Sequence, residues 1–299
     1  IMMPGLSGYD VCRRLKANPD RRRIPVIFVT AMTSVDDERL GLEMGAVDYI
    51  TKPFSPPIVM ARVRTHLALY DQTRELERMV VQRTEELCIT RQQIIFCLGR
   101  AAEFKDNETG NHVIRMAHYA RLIAEAHGMG KEAIDKIFFA APMHDVGKIG
   151  IPDAILLKPG KLDAGEWALM ETHPTMGAEI IGPHDNSLLE SARIIALTHH
   201  ERWDGRGYPR RLTGEEIPIE GRIVAIADVF DALISVRSYK PAYSVEESLK
   251  IMETEDGRQF DPELMKAFRK ALPDILRIKE NYADEYGALT DLEMLKASQ

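Results

Sequence analysis

Residues 1–66 alternate short apolar runs with amphipathic stretches. Ile24-Pro25-Val26-Ile27-Phe28-Val29-Thr30 is brief and rich in branched residues, the pattern of a buried parallel strand. Val35 to Met44 reads as a helix stopped by Gly45, Val47-Asp48-Tyr49-Ile50 as a second strand, and Lys52-Pro53 as the turn into a further helix. Such alternation predicts a parallel sheet flanked by helices. Residues 67–98 hold no Gly or Pro, and Thr73, Val80, Leu87 and Ile94 recur at seven-residue steps, interleaved with Leu69, Leu76, Arg83 and Thr90. That is a heptad seam with polar interruptions, expected to pair two chains in parallel; the alternative is one amphipathic helix packed on its own domain. From Gly99 onward the pattern is helical almost throughout, with helices expected at Ala117 to Ala126, Ala133 to Ala141, Ser191 to His200, Ile223 to Ser235 and Val245 to Glu253. The expected organisation is an α/β domain over 1–66, a coupling helix over 67–98 and an all-α domain over 99–299.

The chain of 299 residues suffices for about two domains, and 45% hydrophobic with 28% charged residues fits a globular protein. A net charge of −7 and a pI near 5.8 argue against a nucleic-acid binder. The three cysteines, Cys12, Cys88 and Cys97, form no CxxC pair, which favours a reducing, cytoplasmic setting. No apolar run approaches the ~20 residues of a membrane span. Ile1-Met2-Met3-Pro4-Gly5 resembles neither a signal peptide nor a natural start, so the chain is expected to begin in mid-domain.

The chemistry lies in histidines. Of nine, His112, His144, His173, His199 and His200 fall in distinctive settings, accompanied by Glu108, Asp145 and Asp228. Imidazole with carboxylate is a ligand set for Fe, Mn, Zn or Ni. Successive helical residues diverge by about 100°. His199 and His200 are therefore expected to reach two neighbouring ions, as are His144 and Asp145, with the carboxylate free to bridge. Such a pair of metals can hold a hydroxide for attack at phosphorus. His66, His118, His127 and His184 read as structural or surface residues. Pro142, two residues before His144, is expected to kink or start a helix.

Two resemblances sharpen this reading. Met3-Pro4-Gly5 with Gly8-Tyr9-Asp10, Thr30-Ala31, Gly45-Ala46, Asp48-Tyr49 and Lys52-Pro53-Phe54 resemble the C-terminal half of a response-regulator receiver domain, a flavodoxin-like fold. The resemblance implies that Thr30 and Lys52 contact an acyl phosphate and that Tyr49 is the switch aromatic. It places the phosphoacceptor aspartate before Ile1, so no phosphorylation site is expected in this chain. A cognate histidine kinase is implied for the intact receiver.

Glu103 to Asp261 resembles an HD-GYP domain, a branch of the HD phosphohydrolase superfamily. The similarity runs through Glu108-Thr109-Gly110-Asn111-His112, His144-Asp145-Val146-Gly147-Lys148-Ile149-Gly150-Ile151-Pro152, Lys158-Pro159-Gly160-Lys161-Leu162 and His173-Pro174. It continues through His199-His200-Glu201-Arg202-Trp203-Asp204-Gly205-Arg206-Gly207-Tyr208-Pro209, Ala227-Asp228-Val229-Phe230-Asp231-Ala232-Leu233 and Arg237-Ser238-Tyr239-Lys240. It implies metal ligation by His112, His144, Asp145, His173, His199, His200 and Asp228, with Asp145 bridging two divalent ions. Iron is expected, with manganese, nickel and zinc as alternatives. Glu108, four residues before His112, is similar to the subset with three metals and implies a third ion. Asp145 and Lys148 are the expected catalytic residues, Lys148 steadying a phosphate oxygen. Lys148, Tyr208, Arg237 and Lys240 are the expected substrate contacts. The implied reaction is hydrolysis of cyclic di-GMP to pGpG, and onward to GMP, by a metal-bridged hydroxide. The alternatives are a preference for pGpG or cyclic GMP-AMP, a catalytically idle cyclic dinucleotide receptor, and another HD phosphohydrolase. A homodimer through the coupling helix and a diguanylate cyclase partner at the Gly-Tyr-Pro loop complete the expectations.

Overall fold

The computed structural model describes residues 5–106, 110–235 and 242–283. The chain divides into two compact units, Ile1–Cys88 and Ile89–Gln299. In the first, α1 (Gly8–Ala17) starts on a reciprocal cap, Ser7 accepting from the Asp10 backbone and the Asp10 carboxylate from that of Ser7. Strand β1 (Ile27–Thr30) leads through α2 (Val35–Glu43) to β2 (Asp48–Thr51). The strands pair in parallel, as the apolar runs predict, and the register sets Phe28 opposite Tyr49. Cys12, Phe28, Ala46 and Tyr49 form the core of this unit. Tyr49 is buried there, its hydroxyl donating to the Met32 carbonyl at 3.2 Å.

Helix α3 (Pro56–Lys105) runs unbroken for 50 residues, across the whole predicted heptad segment and beyond it at both ends. Its last turns belong to the second unit, where Ile95, Phe96, Gly99, Ala102 and Glu103 form a buried face.

The second unit is helical. It comprises α4 (Gly110–His127), α5 (Lys131–Ala140), the 3-10 turns Ala141–Met143 and Val146–Gly150, α6 (Asp153–Leu156), α7 (Ala164–Met170), α8 (His173–Ile181) and α9 (Ser187–Thr198). A 3-10 turn (Gly214–Glu216), α10 (Ile219–Ile234), α11 (Val245–Thr254) and α12 (Pro262–Asn281) follow. Helix α4 is the hub, packing against α5, α10 and α12. Its Ala117, Ala120 and Ala124 are fully buried, and their short side chains let neighbours approach closely. Around them pack Met116, Tyr119, Ile123, Phe230 and Phe268, each wholly removed from water. Burying a side chain of this size contributes roughly 1.5–3 kcal/mol. The metal-ligand candidates sit beside this core, on α4, α8, α10, the end of α9 and the turn after α5.

Candidate metal centre

Pro142 lies near the start of the Ala141–Met143 turn and cannot donate the backbone bond that would prolong α5. The chain tightens instead into successive 3-10 turns, and His144 and Asp145 leave it at the junction. Just beyond, a Cβ on Gly147 would lie 1.9 Å from the His173 carbonyl oxygen. Only glycine lets this turn press against the start of α8, and that contact brings His173 to Asp145.

The Asp145 carboxylate is the centre of the arrangement. Its Oδ1 lies 3.2 Å from Nε2 of both His173 and His199. Its Oδ2 lies 3.3 Å from His144 Nε2 and 2.7 Å from Lys148 Nζ. Asp145, His173, His199 and His200 form one cluster able to hold an ion, and Glu103, His112 and His144 form another. Asp228 from α10 joins the second, its Oδ1 3.5 Å from His112 Nε2 and 3.9 Å from His144 Nε2. Asp145 thus turns one oxygen to each cluster.

The ring orientations show what these atoms await. Nδ1 of His144 faces the Ala141 carbonyl at 3.1 Å, that of His173 the Met170 carbonyl at 2.8 Å, and that of His199 the Ile195 carbonyl at 3.0 Å. A carbonyl only accepts, so each Nδ1 carries the proton and, in the neutral ring, each Nε2 presents a lone pair. Among the described residues these three buried Nε2 atoms, and Asp145 Oδ1, make no hydrogen bond. Converging buried acceptors are unfavourable unless a cation lies between them. Four tetrahedral ligands about 2.1 Å from a metal stand about 3.4 Å from one another, close to the 3.2 Å from Asp145 Oδ1 to His173 and His199 and the 3.3 Å from its Oδ2 to His144. The residues fit divalent metal ions.

The electrostatics agree. Burial opposes charge on His144, yet Asp145, Asp228 and Glu103 raise its pKa to about 8, so this corner attracts positive charge. Burial would raise the Asp145 carboxyl, but Lys148 and His144 hold it well below the usual range. His200 is kept neutral by burial and by His199 and His173 beside it.

All seven residues that the HD-GYP resemblance implied as metal ligands are brought together. One geometric expectation fails. His199 and His200 were expected to reach separate ions from a helix, but both face the Asp145–His173 cluster, with ring centroids 4.1 Å apart. Helix α9 ends at Thr198, leaving His199 as its cap and His200 in the turn beyond, so helical divergence does not apply. Lys148 lies between Asp145 and Asp106, 2.6 Å from the latter's Oδ2. Tyr208 stacks on His200, with centroids 4.8 Å apart and planes 25° from parallel. Glu108, Arg237 and Lys240 lie outside the described residues.

Three participants escaped sequence reasoning. Asp231 accepts from His112 Nδ1 at 2.8 Å and so sets that ring as the backbone carbonyls set the others. Asp106 holds Lys148, and Glu103 reaches the second cluster. The signal for Asp231 was its place one helical turn after Asp228. Glu103 and Asp106 stand on the other side of a change of helix from His112, where no helical spacing could point to them.

The HD domain family matches residues 76–264, and the response regulator receiver domain family matches residues 1–64. A probable cyclic di-GMP phosphodiesterase of Vibrio cholerae serotype O1 is 41% identical over 315 residues, covering 98% of this chain and 71% of that protein. The cyclic di-GMP phosphodiesterase response regulator RpfG of Xanthomonas campestris pv. campestris is 38% identical over 283 residues, covering 92% of this chain and 75% of that protein. The crystal structure of a V. cholerae phosphodiesterase described as specific for cyclic GMP-AMP (V-cGAP3) superposes with a TM-score of 0.50 at 20% identity, over 64% of this chain and 51% of that one, a likeness of fold. With the HD motif seated at the converging acceptors and receiver sequence ahead of it, the chain belongs to the HD-GYP group of HD-domain proteins that carry a response regulator receiver domain.

Proposed function

We propose that the chain is a metal-dependent phosphodiesterase that opens cyclic di-GMP to pGpG, and then GMP, as the output of a two-component response regulator. The observation that carries this is the convergence of buried acceptors from His144, His173, His199 and Asp145, a pair of ion sites sharing one carboxylate. When bound, two divalent ions supply an activated water and Lewis-acid stabilisation at phosphorus. The first would be held by Asp145, His173, His199 and His200, the second by Asp145, His112, His144 and Asp228. Imidazole and carboxylate donors suit iron, with manganese next, and a third ion at Glu108 belongs to the same proposal.

The protein's own groups do the rest. Lys148 sits with its ammonium 2.7 Å from the shared carboxylate, placed to meet a phosphate oxygen there as its charge grows. Burial pushes the Tyr208 phenol up, so it stays protonated and can donate to a phosphate oxygen or a guanine. Its stacking also fixes the His200 ring. Arg237 and Lys240 would clamp the other phosphate. The loop bearing Tyr208 is preformed: the buried Glu201 carboxylate accepts from the backbone of Arg210 at 2.7 Å and of Leu212 at 3.0 Å. Exposed Arg206, Arg210 and Arg211 make the loop a basic surface for a diguanylate cyclase partner.

The same reading includes a cognate histidine kinase acting on the intact receiver, a cytoplasmic setting consistent with three free cysteines, and a parallel dimer. The predicted seam is open to solvent on α3, with Leu76 51%, Val80 64% and Leu87 71% exposed. It continues in the same heptad step through Cys97, Ala101 and Phe104, the last 84% exposed. No described helix is long and apolar enough to cross a membrane.

The test is turnover. Anaerobically purified full chain, loaded with Fe²⁺ or Mn²⁺, is given cyclic di-GMP, pGpG and cyclic GMP-AMP in parallel. Cyclic di-GMP consumed fastest with pGpG appearing supports the proposal. A metal-loaded chain that binds cyclic di-GMP without cleaving it is a receptor, and the enzyme reading falls.

A further inference from the structure

We propose that Glu103, at the end of α3, is a ligand of the ion held by His112, His144 and Asp228. The assignment rests on the reading that these clusters hold divalent metals, and adds a carboxylate that the family motifs did not single out.

The helix face that carries Glu103 is otherwise apolar or small: Ile95, Phe96, Gly99 and Ala102. Glu103 itself is 1% exposed. Its Oε1 lies 4.0 Å from His144 Nε2, and the two join His112 in a cluster whose ligand atoms lie within 4.8 Å of one another. With Nδ1 of the two imidazoles turned to Ala141 and Asp231, their Nε2 atoms face the same space as the Glu103 carboxylate. A metal among them would take the two nitrogens, in their neutral rings, and the oxygen as ligands.

The backbone shows how the carboxylate is delivered. A Cβ on Gly99 would stand 2.4 Å from the Pro142 carbonyl oxygen. Helix α3 therefore lies directly on the turn that presents His144. Glu103, one turn after Gly99, meets His144, two residues after Pro142. Asp228 approaches from α10, so the ion would have carboxylates from two separate elements, a set suited to more than four ligands and to Fe²⁺ or Mn²⁺ over tetrahedral Zn²⁺.

The experiment titrates Mn²⁺ into the metal-free full chain and into Glu103→Gln, His112→Ala and His200→Ala, by calorimetry and by EPR of free Mn²⁺. Glutamine keeps the shape and removes the charge. The expected result is that Glu103→Gln weakens one Mn²⁺ by at least ~10-fold, the scale on which even outer-shell partners act, and leaves the other unchanged. It should weaken the same ion as His112→Ala, so combining those two costs no second ion, whereas combining it with His200→Ala costs both. The rise in Tm that Mn²⁺ produces should shrink in step, a readout independent of turnover. A wild-type chain holding two ions, with Glu103→Gln indistinguishable from it, overturns the assignment alone. A wild-type chain that takes up no Mn²⁺ overturns the metal reading and this assignment with it.

Discussion

Arg115 closes on Asp231 with two parallel bonds, Nε to Oδ1 at 2.7 Å and Nη2 to Oδ2 at 2.8 Å, and Asp231 in turn holds His112. Burial alone would raise the Asp231 carboxyl; the bonds from His112 and Arg115 overcome it and keep the group ionised. The chain Arg115–Asp231–His112 therefore fixes which nitrogen of His112 faces the second cluster. Replacing Asp231 with Asn should lower affinity for one metal by ~10–100-fold while leaving the His173–His199–His200 cluster loaded. Metal analysis after dialysis against a weak chelator reads this. Full retention of both ions would remove Asp231 from the ligand support.

Asp145 and Lys148 should separate cleanly. Asp145→Ala removes an oxygen from each cluster and should abolish both metal loading and turnover. Lys148→Ala should keep the metals and lower kcat by roughly 10²–10³, the scale of one lost oxyanion donor. Loss of metal in Lys148→Ala would make its contact with Asp145 structural.

His118 gives a pH dependence remote from the ligands. It is 7% exposed and packs against Phe138 and Tyr282. Burial, with Arg121 nearby, lowers its pKa from 6.5 to about 4. Between those values the unfolded chain takes a proton that the folded one refuses, so stability falls as pH drops through the window. The loss is up to about 1.4 kcal/mol per unit, about 3 kcal/mol in all. Denaturant unfolding of metal-free protein at pH 7 and pH 4.5 should show a smaller difference for His118→Phe than for wild type. Equal differences would mean that His118 is protonated in the folded state.

The proposed dimer makes a residue-specific prediction. Cys97 falls on the seam and Cys88 immediately beside it, pointing outward. Mild oxidation should cross-link Cys88→Ser through Cys97, and leave Cys97→Ser largely monomeric on a non-reducing gel. Asp at both Leu76 and Leu87 should give a monomer in light scattering, since each buries an unpaired charge. The opposite cross-linking pattern would place the seam on another face.

Much of this was legible before any coordinates. Short apolar runs and helical patterning gave the two strands that pair in parallel and the five predicted helices, because each buries a continuous face. The seven candidate ligands were legible through motif rather than periodicity, since they come from three helices and two turns that only the fold assembles. Illegible were the groups whose role depends on a contact between elements distant in sequence: Glu103 against His144 and Asp106 against Lys148. His199 and His200 misled for a local reason, as no residue type marks the end of α9 at Thr198.

Helix α3 has a mechanical consequence. Its last turns, Ile95 to Glu103, lie within the second unit and bury one face there. A carboxylate about 6 Å from the axis sweeps about 2 Å for a 20° turn, the drift that accumulates over one heptad. That sweep is the length of a metal–oxygen bond. Rotation of these last turns about their own axis would be read at Glu103 as ligand bound or ligand withdrawn.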